Sequence, residues 1–240
     1  MNSFLLALQF LTIIPGTHTF VANDKQLGNS VLFYPLIGLI IGGLLILLES
    51  LLNHLPVNIL ASLILILWVS LTGGLHLDGL ADCADAWVGG LGSKQRSLEI
   101  MKDPAAGPIA VLLLVLLLLL KWTLISEIIT QQQTKSVFLL IPMLGRLAIL
   151  ILMLSTNYIS SAGLGSKLVA NLSISTTKIL TVIGLGTGFY FLNWMAIAFM
   201  LGILLLISYQ AKKRLGGVTG DVYGAAVELV EAAVLLGAVL

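Results

Sequence analysis

Long apolar stretches separated by short polar ones run through most of the chain. A helix that crosses a membrane needs about 20 mostly apolar residues. Seven stretches fit or approach that length: Val31–Leu52, Val57–Leu75, Ala105–Ile125, Ser136–Leu154, Ile179–Leu192, Trp194–Tyr209 and Ala225–Leu240. The fifth and sixth are short and meet at Asn193, which predicts a tight hairpin or a partly re-entrant pair; six or eight spans also fit. Residues 3 to 14 are apolar but too short to span, and predict a segment lying in the interface. The pattern as a whole predicts an all-α, polytopic transmembrane bundle forming one domain over 1–240. No repeat or polar linker divides it.

Composition sharpens this reading. Hydrophobic residues make up 58% of the 240 and charged residues 10%, against about 25% charged in soluble domains. A soluble chain of 25.5 kDa has too little interior to hide so much apolar surface. The net charge is +1, and nothing points to nucleic acid. Cys83 is the single cysteine, so the chain forms no internal disulfide. Met1 to Pro15 lacks a basic n-region and a small-residue cleavage site, and is expected to be retained.

Lysine and arginine set the expected orientation. With the N-terminus in the cytoplasm, nine fall on the cytoplasmic side and only Lys135 outside; Lys121 and Arg146 lie within spans. This is the positive-inside pattern. It places two polar loops, 76–104 and 210–224, together at the cytoplasmic face.

The acids gather in those loops. Asp24, Glu49 and Glu127 sit near span ends and read as solvated or interfacial charges. The segment HLDGLADCADAW, His76 to Trp87, spaces Asp78, Asp82 and Asp85 at i, i+4 and i+7. If helical, all three share a face. Like charges at that spacing oppose a helix, and a cation among them would relieve the repulsion. Oxygen ligands without a cysteine or histidine cluster suit Mg²⁺, which takes one or two carboxylates plus phosphate oxygens. A solvated amphipathic face is the plainer reading. His76 reads either as a structural histidine or as a ligand or proton carrier.

Further on, Lys102 and Asp103 precede the third span. Asp103 before Pro104 marks a helix start, so it reads as a cap or as a further metal ligand. Lys102 offers a point charge to phosphate or acts as a snorkelling anchor. Arg146 lies mid-span, where a guanidinium costs about 2.5–3.5 kcal/mol on insertion scales. It needs a partner, and Glu228 and Glu231 on the last span are the candidates; alternatively Arg146 faces phosphate. Gly216, Gly217 and Gly220 make a loop whose N–H groups suit phosphate, although a Walker A pattern is absent. Metal-binding aspartates and phosphate-binding cations at a membrane surface together predict Mg²⁺-dependent transfer at a phosphate ester or diphosphate.

The residues also resemble a family. GGLHLDGLADCADAW, LEIMKDPAAGP, the intramembrane Gly145-Arg146, and GGVTGDVYGAAVELVE are similar, in order, to the motifs of adenosylcobinamide-GDP ribazoletransferases, or cobalamin 5′-phosphate synthases. LALQFLTIIP and FYPLIGLIIGG at the start agree. The resemblance spans the chain. It implies a multi-pass enzyme of the bacterial or archaeal cytoplasmic membrane that uses Mg²⁺. Such an enzyme joins adenosylcobinamide-GDP to α-ribazole or its 5′-phosphate and releases GMP. Carried onto this chain, it implies Asp78, Asp82 and Asp85 as metal ligands, with Asp103 and Asp221 as further ones. Lys102, Arg146, Gly217 and Gly220 would bind phosphate, and His76, Glu228 and Glu231 would support. Asp82 or Asp85 would accept the ribose proton. A homo-oligomer is compatible.

Two other classes share some features. CDP-alcohol phosphotransferases use D-x-x-D-G-x-x-A-R and later spaced aspartates, of which only Asp78-Gly79 is matched. A transporter would use intramembrane Arg146, Glu228 and Glu231 for ion coupling, but the acids here gather at one face and no repeat is visible.

Overall fold

A computed structural model describes residues 3–15, 22–160 and 164–240. Among these there is no strand, only one isolated bridge between Tyr158 and Val218. The helices are α1 (Ser3–Leu11), α2 (Asp24–Ser30), α3 (Tyr34–Leu52), α4 (Val57–Thr72), α5 (Leu75–Gly89), α6 (Lys94–Ile100), α7 (Pro108–Thr130), α8 (Thr134–Ser155), α9 (Leu164–Ala170), α10 (Ile174–Phe191), α11 (Trp194–Leu215) and α12 (Gly220–Val239). A 3₁₀ turn, Val31–Phe33, carries α2 into α3.

Five of these runs are long and apolar enough to cross a membrane: Asp24–Leu52, α7, α8, α11 and α12. Two bent pairs, α4 with α5 at 87° and α9 with α10 at 94°, raise the number to as many as seven. The all-α polytopic bundle is therefore present. Two of the expected spans, the second and fifth, are each one arm of a bent pair.

The bend between α4 and α5 comes from Gly73 and Gly74, whose φ values are +60° and +73°. Two successive left-handed residues are inexpensive only for glycine. The chain leaves α4 and turns at once into the aspartate segment.

Two expected loops are largely helical. Residues 76–104 contain α5 and α6, and 210–224 contracts to a turn at 216–219 because α11 continues to Leu215 and α12 starts at Gly220. The reason lies in the sequence: opposite the aspartates, α5 carries Leu77, Leu80, Ala81 and Ala84, all buried. An amphipathic helix with that face packs into the bundle and does not stay a solvated loop.

Helices α8 and α12 form the centre, with 83% of the most apolar stretch of each buried, against 28% for α7 and α11. Lipid tails are as apolar as leucine, so close backbone packing must do what hydrophobic burial does in water. Glycines provide it. On α3, a Cβ at Gly38 would collide with the Pro142 carbonyl oxygen, and one at Gly42 would lie 2.5 Å from that of Phe138. Gly237 of α12 similarly rests on Ala196 of α11.

Candidate active site at the junction of α5 and α12

The same device joins the two acidic motifs. A Cβ at Gly79 would lie 2.8 Å from the Asp221 carbonyl oxygen, and one at Gly224 3.2 Å from that of His76. Helix α5 therefore lies against the start of α12, and Asp78 and Asp221 come to one cavity of about 190 Å³. Its wall also carries His76, Gly220, Phe10, Tyr34, Tyr158 and Tyr223. Thr219 caps α12, accepting from the Val222 N–H at 3.4 Å and donating to an Asp221 oxygen at 3.2 Å. The carboxylate thus sits in the first turn, where the helix dipole favours negative charge.

Asp82 lies one turn beyond Asp78, within electrostatic reach of Asp78, Asp221 and Asp85. Backbone pairing of Ile159 with Val218 and of Val218 with Asn157 ties the segment after α8 to the 216–219 turn. This holds Tyr158 over the site. Burial and the Asp221 carboxylate push the Tyr158 phenol above its ordinary value, so it stays neutral.

Several expected residues are engaged elsewhere. Asp85 is committed to α7: its oxygens accept from Gly107 N–H at 2.6 Å and Ala110 N–H at 3.0 Å. Helix α7 starts at Gly107-Pro108, not at Asp103-Pro104, and Gly107 has no side chain to cap with. A carboxylate from α5 fills that role and meets the positive helix end. Asp103 is exposed and accepts from its own Ala105 N–H at 3.0 Å. Lys102 is exposed on the same edge, and neither Lys102 nor Asp103 lines the cavity. The Gly217 N–H is given to the Ala211 carbonyl, and that of Val218 to Asn157. Those amides are therefore not free for phosphate. Gly220 does line the cavity.

Among the described residues, no three His, Cys, Asp or Glu side chains converge into a ready-made metal cage. The expected three-aspartate cage on α5 does not close, since Asp85 turns to α7.

Arg146 lies deeper, fully buried one turn below the cavity-lining Ile149. It binds Glu231, and Gly145 leaves the room for that carboxylate. Lys121 completes the group, 2.6 Å from Glu228 and 2.7 Å from Glu231, with its ammonium over the Trp68 ring. Two cations and two anions thus form a neutral network between α7, α8 and α12. Arg146 donates to Glu231 and the Pro142 carbonyl, while its Nε and Nη2 have no partner, nor does the buried His76 Nε2. The expected pairing of Arg146 with Glu231 is present. Arg146 does not line the cavity, so it touches phosphate only if the network opens.

Lys121 was the residue that sequence reasoning passed over. A lysine inside a leucine run is itself a signal of a buried partner. Tyr158 and Tyr223 gave no such signal.

Fold and site define a polytopic membrane protein with an acid-lined, aromatic-walled cavity set against a buried ion-pair network. Residues 3–239 match the cobalamin-5-phosphate synthase family. An adenosylcobinamide-GDP ribazoletransferase of Acinetobacter baumannii is 47% identical over 235 residues, covering 96% of this chain and 94% of the relative. One of Pseudomonas fluorescens is 46% identical over the whole of both chains, and one of Stutzerimonas stutzeri 45% over 100% of this chain and 98% of its own. No solved structure matches. The chain belongs to the cobalamin-5-phosphate synthase family.

Proposed function

We infer that the protein is an adenosylcobinamide-GDP ribazoletransferase. It transfers the adenosylcobinamide-phosphate group of adenosylcobinamide-GDP to α-ribazole or its 5′-phosphate and releases GMP. The observation that carries this reading is one of assembly. Two motifs that match the family, distant in sequence, deliver Asp78 and Asp221 to one cavity through the contact of Gly79 with the Asp221 backbone.

The chemistry requires little more than positioning and charge control. A ribose hydroxyl oxygen attacks the phosphorus that bears the cobinamide arm. The new O–P bond forms as the bond to the GMP oxygen breaks, and the hydroxyl proton passes to a carboxylate. Asp82 would take it: it lies one turn beyond Asp78, just outside the cavity wall, and among the described residues no ion pair engages its carboxylate. Asp78 and Asp221 would hold Mg²⁺, which accepts one or two carboxylates and completes its shell with water and phosphate oxygens. The two carboxylates that share the cavity wall are within that donor set. The ion would neutralise charge on the bridging oxygens. The buried network ties α12, which carries Asp221, to α7 and α8, and the Gly79 contact sets α5 against it.

The reading places the protein in the cytoplasmic membrane of a bacterium or archaeon, with the cavity on the cytoplasmic side. The excess of lysine and arginine in the loops beside α5 and α12 supports that orientation.

The test is direct. Protein purified in detergent is mixed with adenosylcobinamide-GDP and α-ribazole 5′-phosphate, with and without Mg²⁺. GMP release and a cobalamin phosphate of matching mass are expected only with Mg²⁺. Folded protein that gives neither product would overturn the reading.

A further inference from the structure

Among the described residues, the cavity that holds Asp78 and Asp221 carries four aromatic rings, two acids and one histidine. The rings come as two stacked pairs. Phe10 and Tyr34 lie 6.1 Å apart at 24°, and Tyr158 and Tyr223 lie 5.9 Å apart at 18°. Ile149, Met153 and Leu168 fill the spaces between them. Among the described residues no lysine or arginine lines this wall, so phosphate would be held here only through a metal ion on the two acids. A planar, mostly apolar group suits it, since aromatic faces favour offset stacking. Space decides between the two substrates. A volume of about 190 Å³ among the described residues is small even for a ligand pocket; it suits a nucleoside base of two fused rings far better than a corrin ring with its amide arms.

We propose that this cavity is the nucleoside subsite. The base of α-ribazole lies among the Phe10, Tyr34, Tyr158 and Tyr223 rings, and its ribose hydroxyls are presented toward Asp78 and Asp221. The corrinoid then stays outside, its phosphate entering from the mouth. The inference rests on the ribazoletransferase reading and assigns one substrate to one place within it.

Tyr158 is the ring to change. It lies outside the spans, is half-buried, and covers Tyr223. In Tyr158→Leu the apolar bulk remains and the stack is lost. The KM for α-ribazole should rise about tenfold, the upper range for an aromatic contact, while the KM for adenosylcobinamide-GDP stays within about twofold. Tyr158→Phe keeps the ring and should restore the α-ribazole KM. Equilibrium dialysis of α-ribazole against wild type and Tyr158→Leu, with no corrinoid present, gives the same comparison without turnover. An unchanged α-ribazole KM and Kd in Tyr158→Leu would overturn the assignment, as would a rise confined to the corrinoid substrate. Absence of GMP release from wild type would instead remove the ribazoletransferase reading, and dialysis would still decide the subsite.

Discussion

Replacing Lys121 with methionine tests the buried network most directly. Lys121 is the partner of Glu228 and one of two partners of Glu231. Methionine preserves much of the stem that packs near Trp68 and removes the ammonium. The network then changes from neutral to a net charge of −1, with Glu228 buried and unpaired. Breaking one member of a buried pair costs about 3–5 kcal/mol, because an uncompensated charge stays behind. For a chain of this size, 1 kcal/mol moves the melting temperature by roughly 2–4 °C. Lys121→Met should therefore melt about 6–20 °C below wild type in the same detergent. The double variant Lys121→Met/Glu228→Gln leaves Arg146 with Glu231 and is neutral again. It should recover at least half of the loss, since replacing both members of a buried pair is far milder than replacing one. Thermal unfolding followed by tryptophan fluorescence reads all three proteins. A single variant within about 2 °C of wild type would refute the argument. So would a double variant that melts no higher than the single one.

Gly79→Val would push α5 away from the Asp221 backbone, and misplacement on that scale costs about 100-fold in turnover; near-normal GMP release from a normally inserted protein would contradict the close-packing argument. Asp221→Asn and Asp78→Asn should each raise the Mg²⁺ concentration needed for half-maximal GMP release and lower the maximum, and an unaltered Mg²⁺ titration would remove that residue from the metal site. Asp85→Ala should destabilise by about 0.5–2 kcal/mol, as loss of a helix cap does. It should leave the Mg²⁺ requirement unchanged; a shifted Mg²⁺ titration would show that Asp85 is a ligand after all.

Much of the architecture follows from hydropathy because lipid allows few alternatives: a backbone in hydrocarbon must be helical. The spans from Val31, Ala105, Ser136, Trp194 and Ala225 each correspond to a helix whose ends lie within about two turns of those expected. The reading failed where a helix is short and amphipathic. Residues 76–89 are too polar to register as a span, yet Leu77, Leu80 and Ala84 bury a face against the bundle. Asp85 shows a second limit. Spacing places it with Asp78 and Asp82, but its partners are amides 22 and 25 residues away, and no local pattern reports where α7 begins in space. Glu231 was legible as a partner for Arg146 because buried charges are so few. The share taken by Lys121 was not, because one carboxylate serves two cations.

The charges divide into two groups with different logic. In the core, Lys121 and Arg146 balance Glu228 and Glu231, as a low-dielectric interior demands. A turn or two away, Asp78, Asp82 and Asp221 lie within electrostatic reach of one another. Among the described residues no lysine, arginine or histidine forms an ion pair with any of them. A chain that neutralises its buried acids so closely could have neutralised these with one lysine. Their mutual repulsion opposes the packing of α5 on α12, and tight glycine contacts hold that packing in place. On the proposed reading, uncompensated acids kept together by backbone contact would favour a cation, whose shell the oxygens of a diphosphate substrate would complete. On this argument, metal and diphosphate should stabilise the α5–α12 junction more together than the sum of each alone.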